Sequence, residues 1–300
     1  MSADAVIGDV ACIVVHHNSP NTLSVTLEAL CASGVPRDEI LVVDNSTVVA
    51  DSPPTGGFAV LRTSNRGYAA AVNEGLSYLS AHGRARPFTL VSTHESLPAP
   101  DAVHLLRDEL LSDPSIAVVG PTLMNADSGR KVWSVGGFLT PRLKLPRHHV
   151  DPDVQSPEAG VDREWLDGAF TMYRTSELEE FILDETYFLY FEETDLHTRL
   201  RRAGRRVVWV PRATVSQRSS GIPSRLLGRN LFLFHYKLFS KTTGRLAVSF
   251  ELGRSVARAL LTKRGRWSAF PEIAKGWQEG ERLTLATEDA DSTSGGRDSG

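Results

Sequence analysis

Only two cysteines occur in this chain of 300 residues, Cys12 and Cys31. Two thiols do not make a disulfide framework. Each lies in an apolar pattern, so both are expected as reduced core residues. Long apolar runs are also missing, since none approaches the roughly 18 residues needed to cross a bilayer. The opening residues, Met1-Ser-Ala-Asp-Ala-Val6, lack the basic and apolar regions of a secretory signal, and a cytoplasmic location is expected. No internal repeat is present. No Gly-rich, Lys-containing phosphate loop follows the first apolar run, which counts against a nucleotidyltransferase. Acids are scarce in one region. Residues 199 to 267 hold 17 Lys or Arg and one acid, Glu251, although the whole chain carries a net charge of −3. That surplus implies an anionic partner: a pyrophosphate, a lipid headgroup or a nucleic acid. No nucleic-acid-binding motif accompanies it, and a nucleic-acid partner is not expected.

The apolar share of 41% is enough for a substantial core. Short apolar runs at 11–15, 40–43, 58–61, 88–91 and 116–119 read as buried strands. Helical spacing at 22–32, 68–79 and 100–111 separates several of them. Strands joined through single helices predict a mostly parallel sheet covered on both faces. Such sheets hold ligands at the carboxyl ends of their strands. His16, His17 and Asn18 follow the first strand, Asp44, Asn45 and Ser46 the second, and Thr93, His94 and Glu95 the fourth. Three polar sets on one rim point to a pocket, although loop polarity would account for any one of them.

Beyond residue 125 the pattern weakens to an irregular excursion or hairpin, up to about 160. A strand interrupted by Asp167-Gly168 is expected over 165–173, a helix over 194–203 and a strand over 206–210. A basic, apolar-rich helical extension over 223–285 follows, and 286–300, rich in Asp, Ser and Gly, is expected to be disordered. Three carboxylates, Glu192, Glu193 and Asp195, stand directly after the aromatic-rich run Phe188-Leu-Tyr-Phe191. Crowded acids repel unless a cation or a reacting proton uses them, yet acids also favour a helix start, and both readings apply here. The pairs His16-His17 and His148-His149 lack metal-site spacing and no metal is assigned to them.

The order of these motifs resembles the family 2 glycosyltransferases, inverting enzymes of the GT-A fold, over residues 10 to 240, and in particular their rhamnosyltransferase-like branch. Val14-Val-His-His-Asn18 is similar to the family's first strand and its polar exit, and Val42-Val-Asp44-Asn45-Ser46 to its second strand end. Asn65-Arg-Gly67-Tyr with Asn73-Glu-Gly75 matches its Asn-x-Gly-aromatic motif. Trp165-Leu-Asp-Gly168-Ala169 resembles its acceptor-side segment, and Tyr190-Phe-Glu192-Glu193-Thr-Asp195-Leu its acidic helix. The resemblance implies a catalytic domain over 1–222 and a nucleoside diphosphate sugar donor such as dTDP-rhamnose. The implied acceptor is a hydroxyl of a cell-envelope glycan or of a polyprenyl-pyrophosphate-linked intermediate at the inner membrane face. His16, Asn18, Asp44, Asn65, Gly67, Asn73 and Arg218 are implied to meet the donor. Glu193 is implied as the base, with Asp195 in reserve and Glu192 shaping the acceptor side.

The chain departs from the family pattern at three places. Glu95 stands where a metal-binding Asp is expected, Glu193 replaces an Asp, and Gln217 replaces a His. A Mg²⁺ or Mn²⁺ held through Glu95 is the first expectation, and neutralisation of pyrophosphate by Arg218 the second. A catalytically impaired sugar-nucleotide-binding or glycan-binding scaffold is the competing reading. The basic extension is read as an amphipathic segment that meets anionic lipid, or as helices packed with extended Arg side chains.

Overall fold

The computed structural model describes residues 7–48, 56–126, 131–149, 159–218, 221–261 and 267–294, with side chains as far as 285. The chain divides into two units. The first comprises Met1–Phe138, Pro146–Phe188 and Glu192–Ser219, and the second Leu139–Leu145, Leu189–Phe191 and Ser220–Gly300.

In the first unit the strands are β1 (Val10–His16), β2 (Ile40–Asp44), β3 (Ala59–Arg62), β4 (Phe88–Thr93), β5 (Leu97–Pro98) and β6 (Ile116–Asn125). They continue with β7 (Lys131–Ser134), β8 (Gly137–Leu139), β9 (Pro146–His148), β10 (Val161–Asp162), β11 (Phe170–Arg174) and β12 (Arg206–Gln217). The helices are α1 (Pro20–Ala32), α2 (Tyr68–Ala81), α3 (Ala102–Ser112), α4 (Thr175–Glu180) and α5 (Glu192–Arg202). The main sheet runs β10-β12-β6-β11-β4-β1-β2-β3. β1 pairs in parallel with β2 and β4, β2 with β3, and β6 with β12.

β1 and β2 are buried along their whole length, as uninterrupted Val, Ile and Leu runs must be when both sheet faces are covered. Leu23, Leu27 and Leu30 of α1 and Leu106 and Leu110 of α3 join them in one apolar cluster. Each such side chain contributes about 1.5–3 kcal/mol on burial. α2 lies close on the sheet through Gly75, where an added Cβ would stand 2.9 Å from Val43 Cγ2.

One departure from the sequence reading bears on function. The strand expected over 165–173 begins only at Phe170, and it runs antiparallel between β4 and β6. Its reversed direction brings Asp167-Gly168, which precede it, to the rim where the parallel strands end. The excursion over 125–160 contributes β7, paired with β6, and the β8-β9 ribbon; residues 127–130 and 150–158 lie outside the described residues.

The second unit holds α6 (Ser224–Leu238), α7 (Lys241–Leu261) and α8 (Ala269–Ser294). α6 and α8 approach through glycine: an added Cβ at Gly228 would lie 2.1 Å from Ile273 O, and one at Gly276 would meet Arg225 O. Arg225 and Arg229 of α6 pair with Glu279 of α8. α6 buries everything from Gly228 to His235, so it is an interior helix and not a lipid-facing one. Asn230, fully buried, donates to Leu189 O at 2.8 Å and to Tyr190 O at 2.9 Å. α8 continues to Ser294, into the stretch expected to be disordered from 286, and residues 295–300 lie outside the described residues. Among the described residues no helix is long and apolar enough to cross a membrane.

Candidate active site

The three polar loops expected on one rim do come together, because β1 is hydrogen-bonded to both β2 and β4. His16 accepts the Ser19 N–H at Nε2 (3.1 Å), so its proton sits on Nδ1, which donates to Asp44 Oδ1 at 3.0 Å. His17 Nδ1 donates to Asn45. The Asn18 side chain accepts the Thr47 N–H (3.0 Å) and donates to Thr47 Oγ1. His16 is wholly buried and both its ring nitrogens are used. It serves Asp44 and has no nitrogen left for a ligand, which corrects its expected donor-binding role. Asn18 likewise pins the loop after β2. The Asp44 carboxyl works against burial, but hydrogen bonds from Ser46 and His16 outweigh that cost and hold it below the ordinary Asp range. Its second oxygen faces the Arg62 guanidinium at 3.7 Å. A groove of about 560 Å³ opens beside Arg62, lined also by Thr63, Arg66 and Glu185.

At the start of α2, Asn65 Oδ1 accepts the Gly67 N–H at 3.2 Å and closes a tight turn. Gly67 has φ 104° and ψ 179°, a conformation essentially restricted to glycine. A Cβ there would meet Phe188 O at 2.2 Å, the carbonyl that accepts the Tyr68 N–H at 2.6 Å. Asn73 donates to Leu183 O (2.8 Å) and Glu185 Oε1 (3.1 Å) and accepts the Leu183 N–H (3.2 Å). Its amide is spent inside the protein, so Asn73 staples α2 to the segment before α5 and is not placed to hold a donor.

His94 donates from Nδ1 to Val15 O, and burial pushes its pKa down to about 4, so the ring is neutral. Glu95 Oε1 is 3.9 Å from His94 Nε2. Gln217, at the end of β12, reaches Thr93 Oγ1 with Nε2 at 3.5 Å, while its Oε1 is buried without a hydrogen-bond partner. Arg218 follows it and is exposed. Among the described residues no group of three or more His, Cys, Asp or Glu side chains is placed to hold a metal. The carboxylate of Glu95 and the unsatisfied carbonyl oxygen of Gln217 are hard oxygen donors beside the end of β4. They fit Mg²⁺ or Mn²⁺ provided a diphosphate and water supply the remaining ligands.

The acidic helix separates its carboxylates. Asp195, 1% exposed, accepts from Arg199 Nε at 2.6 Å and from the Tyr187 hydroxyl at 3.0 Å. Arg199 in turn donates to Phe181 O and Ile182 O. Both Asp195 oxygens are thus committed to the scaffold, which removes it as the reserve base. Glu192 points inward and is buried. Glu193 is half-buried, and burial pushes its carboxyl well above the ordinary range, with the charges of Glu192 and Asp167 adding to the rise. Its side chain lies on Gly168, whose added Cβ would stand 3.4 Å from Glu193 Cβ and 3.7 Å from Cδ. A carboxyl so raised, at an accessible edge, is suited to take a proton.

Sequence reasoning missed Asp167, Ser134 and Arg62, and set His148 aside. Asp167 accepts the Ser134 hydroxyl and lies 3.7 Å from His148 Nδ1. His148 stands between Trp133 and Trp165, with ring centroids 5.6 and 4.8 Å away. The sequence reading took Asp167-Gly168 as an interruption within a strand over 165–173, whereas the strand starts after them, at Phe170, and Asp167 lies at the rim.

A mostly parallel sheet, carrying an aspartate at its second strand end and an acidic helix across the same rim, is the GT-A glycosyltransferase architecture. Residues 8–230 match the family described as "Glycosyltransferase like family 2". The chain belongs to this family. It is 28% identical over 172 residues to the N-acetylglucosaminyl-diphospho-decaprenol L-rhamnosyltransferase of Mycobacterium tuberculosis, a stretch covering 51% of this chain and 55% of that protein. The matched stretch is thus about half of the relative's length. Among solved structures, the mannosyltransferase PcManGT from Pyrobaculum calidifontis, in complex with GDP-Man and Mn²⁺, superposes with TM-score 0.53 at 16% identity, covering 91% of this chain and 86% of that one. S. aureus TarS superposes with TM-score 0.55 at 13% identity, covering 89% and 48%. At these identities the structural likeness establishes the fold.

Proposed function

We propose that this glycosyltransferase acts with inversion, moving a hexose from a nucleoside diphosphate sugar to a hydroxyl of a lipid-linked glycan. The observation that carries this is the split within the acidic helix: Asp195 is locked to Arg199, while Glu193 is left at the edge with a raised proton affinity. The acceptor oxygen attacks the anomeric carbon on the face opposite the diphosphate. Glu193 takes the hydroxyl proton, the anomeric C–O bond breaks, and its electron pair departs on the diphosphate. Asp44, held ionised by Ser46 and His16, accepts from the nucleoside, and Arg218 meets the diphosphate. A divalent ion held by Glu95 and Gln217 would supply further positive charge to the leaving group. The relative's L-rhamnosyl transfer to N-acetylglucosaminyl-diphospho-decaprenol favours a rhamnose donor and an N-acetylglucosaminyl-diphospho-polyprenol acceptor, and we take the donor to be dTDP-rhamnose.

With such an acceptor the enzyme would work at the inner surface of the plasma membrane, and we include this location in the proposal. The outer face of α7 supports this reading. Leu246, Phe250, Leu260 and Leu261 are all exposed and lie on one side of the helix, with Arg254 and Arg258 beside them.

The test is turnover of a panel of nucleoside diphosphate sugars on that acceptor, with Mn²⁺ and with a chelator, for the native chain, Glu193→Gln and Glu95→Ala. Release of the nucleoside diphosphate is expected from the native chain and not from Glu193→Gln, and its Mn²⁺ enhancement is expected to be lost in Glu95→Ala. Donor binding without turnover under any condition would replace the transferase reading with a sugar-nucleotide-binding scaffold.

A further inference from the structure

We propose that Asn230 is a positioning residue for the acidic helix. It clamps the left-handed turn 188–191, which sets where the first turn of α5, and Glu193 with it, begins. The inference rests on the reading of Glu193 as the base and adds the device that aims it. α5 starts at Glu192, directly after Phe191, and a phenyl ring has no oxygen to accept from the first N–H groups of a helix. The start of α5 is therefore set by the course of the backbone that leads into it.

That course is strained. Among the described residues five other than glycine have a positive φ, and three of them stand here: Phe188 (63°), Tyr190 (69°) and Phe191 (77°). A side chain in this region crowds the following carbonyl, which disfavours each such residue by about tenfold. The turn holds only where its surroundings over-determine it. At Phe188 the restraint is the Tyr68 N–H, donated to Phe188 O at 2.6 Å. Beyond Phe188 it is α6, which shares a unit with Leu189–Phe191. The fully buried Asn230 amide gives one hydrogen to Leu189 O at 2.8 Å and the other to Tyr190 O at 2.9 Å. Arg229 Nη1 donates to Asn230 Oδ1 at 2.6 Å and fixes the orientation of that amide. One helical turn on, the Phe234 ring packs against buried Phe191, with centroids 5.8 Å apart.

Two successive carbonyls turned towards one side chain need two donors on a single short group. A carboxamide supplies them, and an aspartate, with acceptors only, does not. Without the clamp, Tyr190 relaxes to the right-handed φ that residues other than glycine prefer, and the start of α5 moves with it. Asp195 stays tied to Arg199 and Tyr187, so the displacement falls on the first turn, where Glu193 stands. The Asp44 carboxyl, held by His16, does not move.

The experiment separates aim from stability by means of a glycine. Asn230→Ala removes both donors, and adding Tyr190→Gly removes the preference of residue 190 to relax. In folded Asn230→Ala a kcat about tenfold below native is expected at unchanged donor affinity, with a return to within about threefold of native in the double variant. Amide hydrogen exchange over 188–198 reads the same turn without any reaction: protection should fall in Asn230→Ala and recover in the double variant. Asn230→Ser, which keeps one donor, replaces Asn230→Ala should that chain not fold. A purely structural role would lower the Tm and leave the kcat of the folded chain at the native value, and that result overturns the proposal. A loss of kcat or of protection that Tyr190→Gly does not relieve overturns it as well. Failure of the base reading shows separately, as hydrogen exchange that follows the prediction while Glu193→Gln turns over like the native chain.

Discussion

Replacing Glu193 by Gln keeps the shape of the side chain and removes its charge, and it should act on stability and on turnover in opposite directions. In the folded chain burial, then Glu192 and Asp167, hold the Glu193 proton well above the ordinary carboxylate range. The folded state therefore binds this proton more tightly than the unfolded state does. The stabilisation that results is complete below the unfolded value and is lost as pH rises through the folded one. Across that window the native chain loses up to about 1.4 kcal/mol per pH unit from this group, and Glu193→Gln does not. Above the window the variant is the more stable protein, while its turnover falls by about 10²–10⁴-fold. Asp195→Ala is the contrast. It deprives a buried Tyr187 hydroxyl and the Arg199 guanidinium of their acceptor, which costs about 3 kcal/mol or more. Urea unfolding of all three proteins at pH 5, 7 and 9, with nucleoside diphosphate release measured in parallel, checks both arms. A Glu193→Gln chain that is less stable than native at pH 9 and still turns over would refute the reasoning.

Three further outcomes are expected. Gly67→Ala forces a side chain into a glycine-only conformation against Phe188 O and breaks the Tyr68 N–H bond, so it should cost about 3 kcal/mol, or roughly 6–12 °C in Tm by calorimetry. Asn73→Ala removes three hydrogen bonds to Leu183 and Glu185 and should cost about 2 kcal/mol, with donor affinity unchanged by calorimetric titration; a tenfold loss of affinity at unchanged Tm would restore its donor role. Phe250→Ser combined with Leu261→Ser should abolish co-sedimentation with phosphatidylglycerol vesicles and leave the Tm unchanged, and undiminished binding would remove α7 from the membrane reading.

The parallel half of the sheet is legible because β1, β2 and β4 are short apolar runs buried on both faces, and nothing but a strand accommodates them. The polar exits are legible for the same reason, since the chain must become polar where it leaves the sheet. The direction of β11 is not legible, because the reversal depends on pairing with β4 and β6, distant in sequence. Within the acidic helix the available signal lay at i,i+4, where Asp195 and Arg199 form a pair that spacing alone marks as structural. Glu193 has no such partner four residues on. The roles of His16 and Asn73 were hidden because each is absorbed by hydrogen bonds to residues 28 and 110–112 positions away.

The reversed strand also separates two kinds of change that the fold can absorb. At its far end β11 is anchored, where the Arg174 guanidinium donates to Ile116 O at 2.7 Å and Asp113 O at 3.0 Å. At its near end Ala169 O accepts the Thr93 N–H and the Ser96 hydroxyl. Insertions or deletions in the loop leading to Asp167 therefore stop at Ala169, and they leave the register of β1, β2 and β4 untouched. One edge of the rim can be remodelled while the strand ends around Asp44 keep their geometry. On the proposed reading of the site, acceptor choice and donor choice are then free to drift independently.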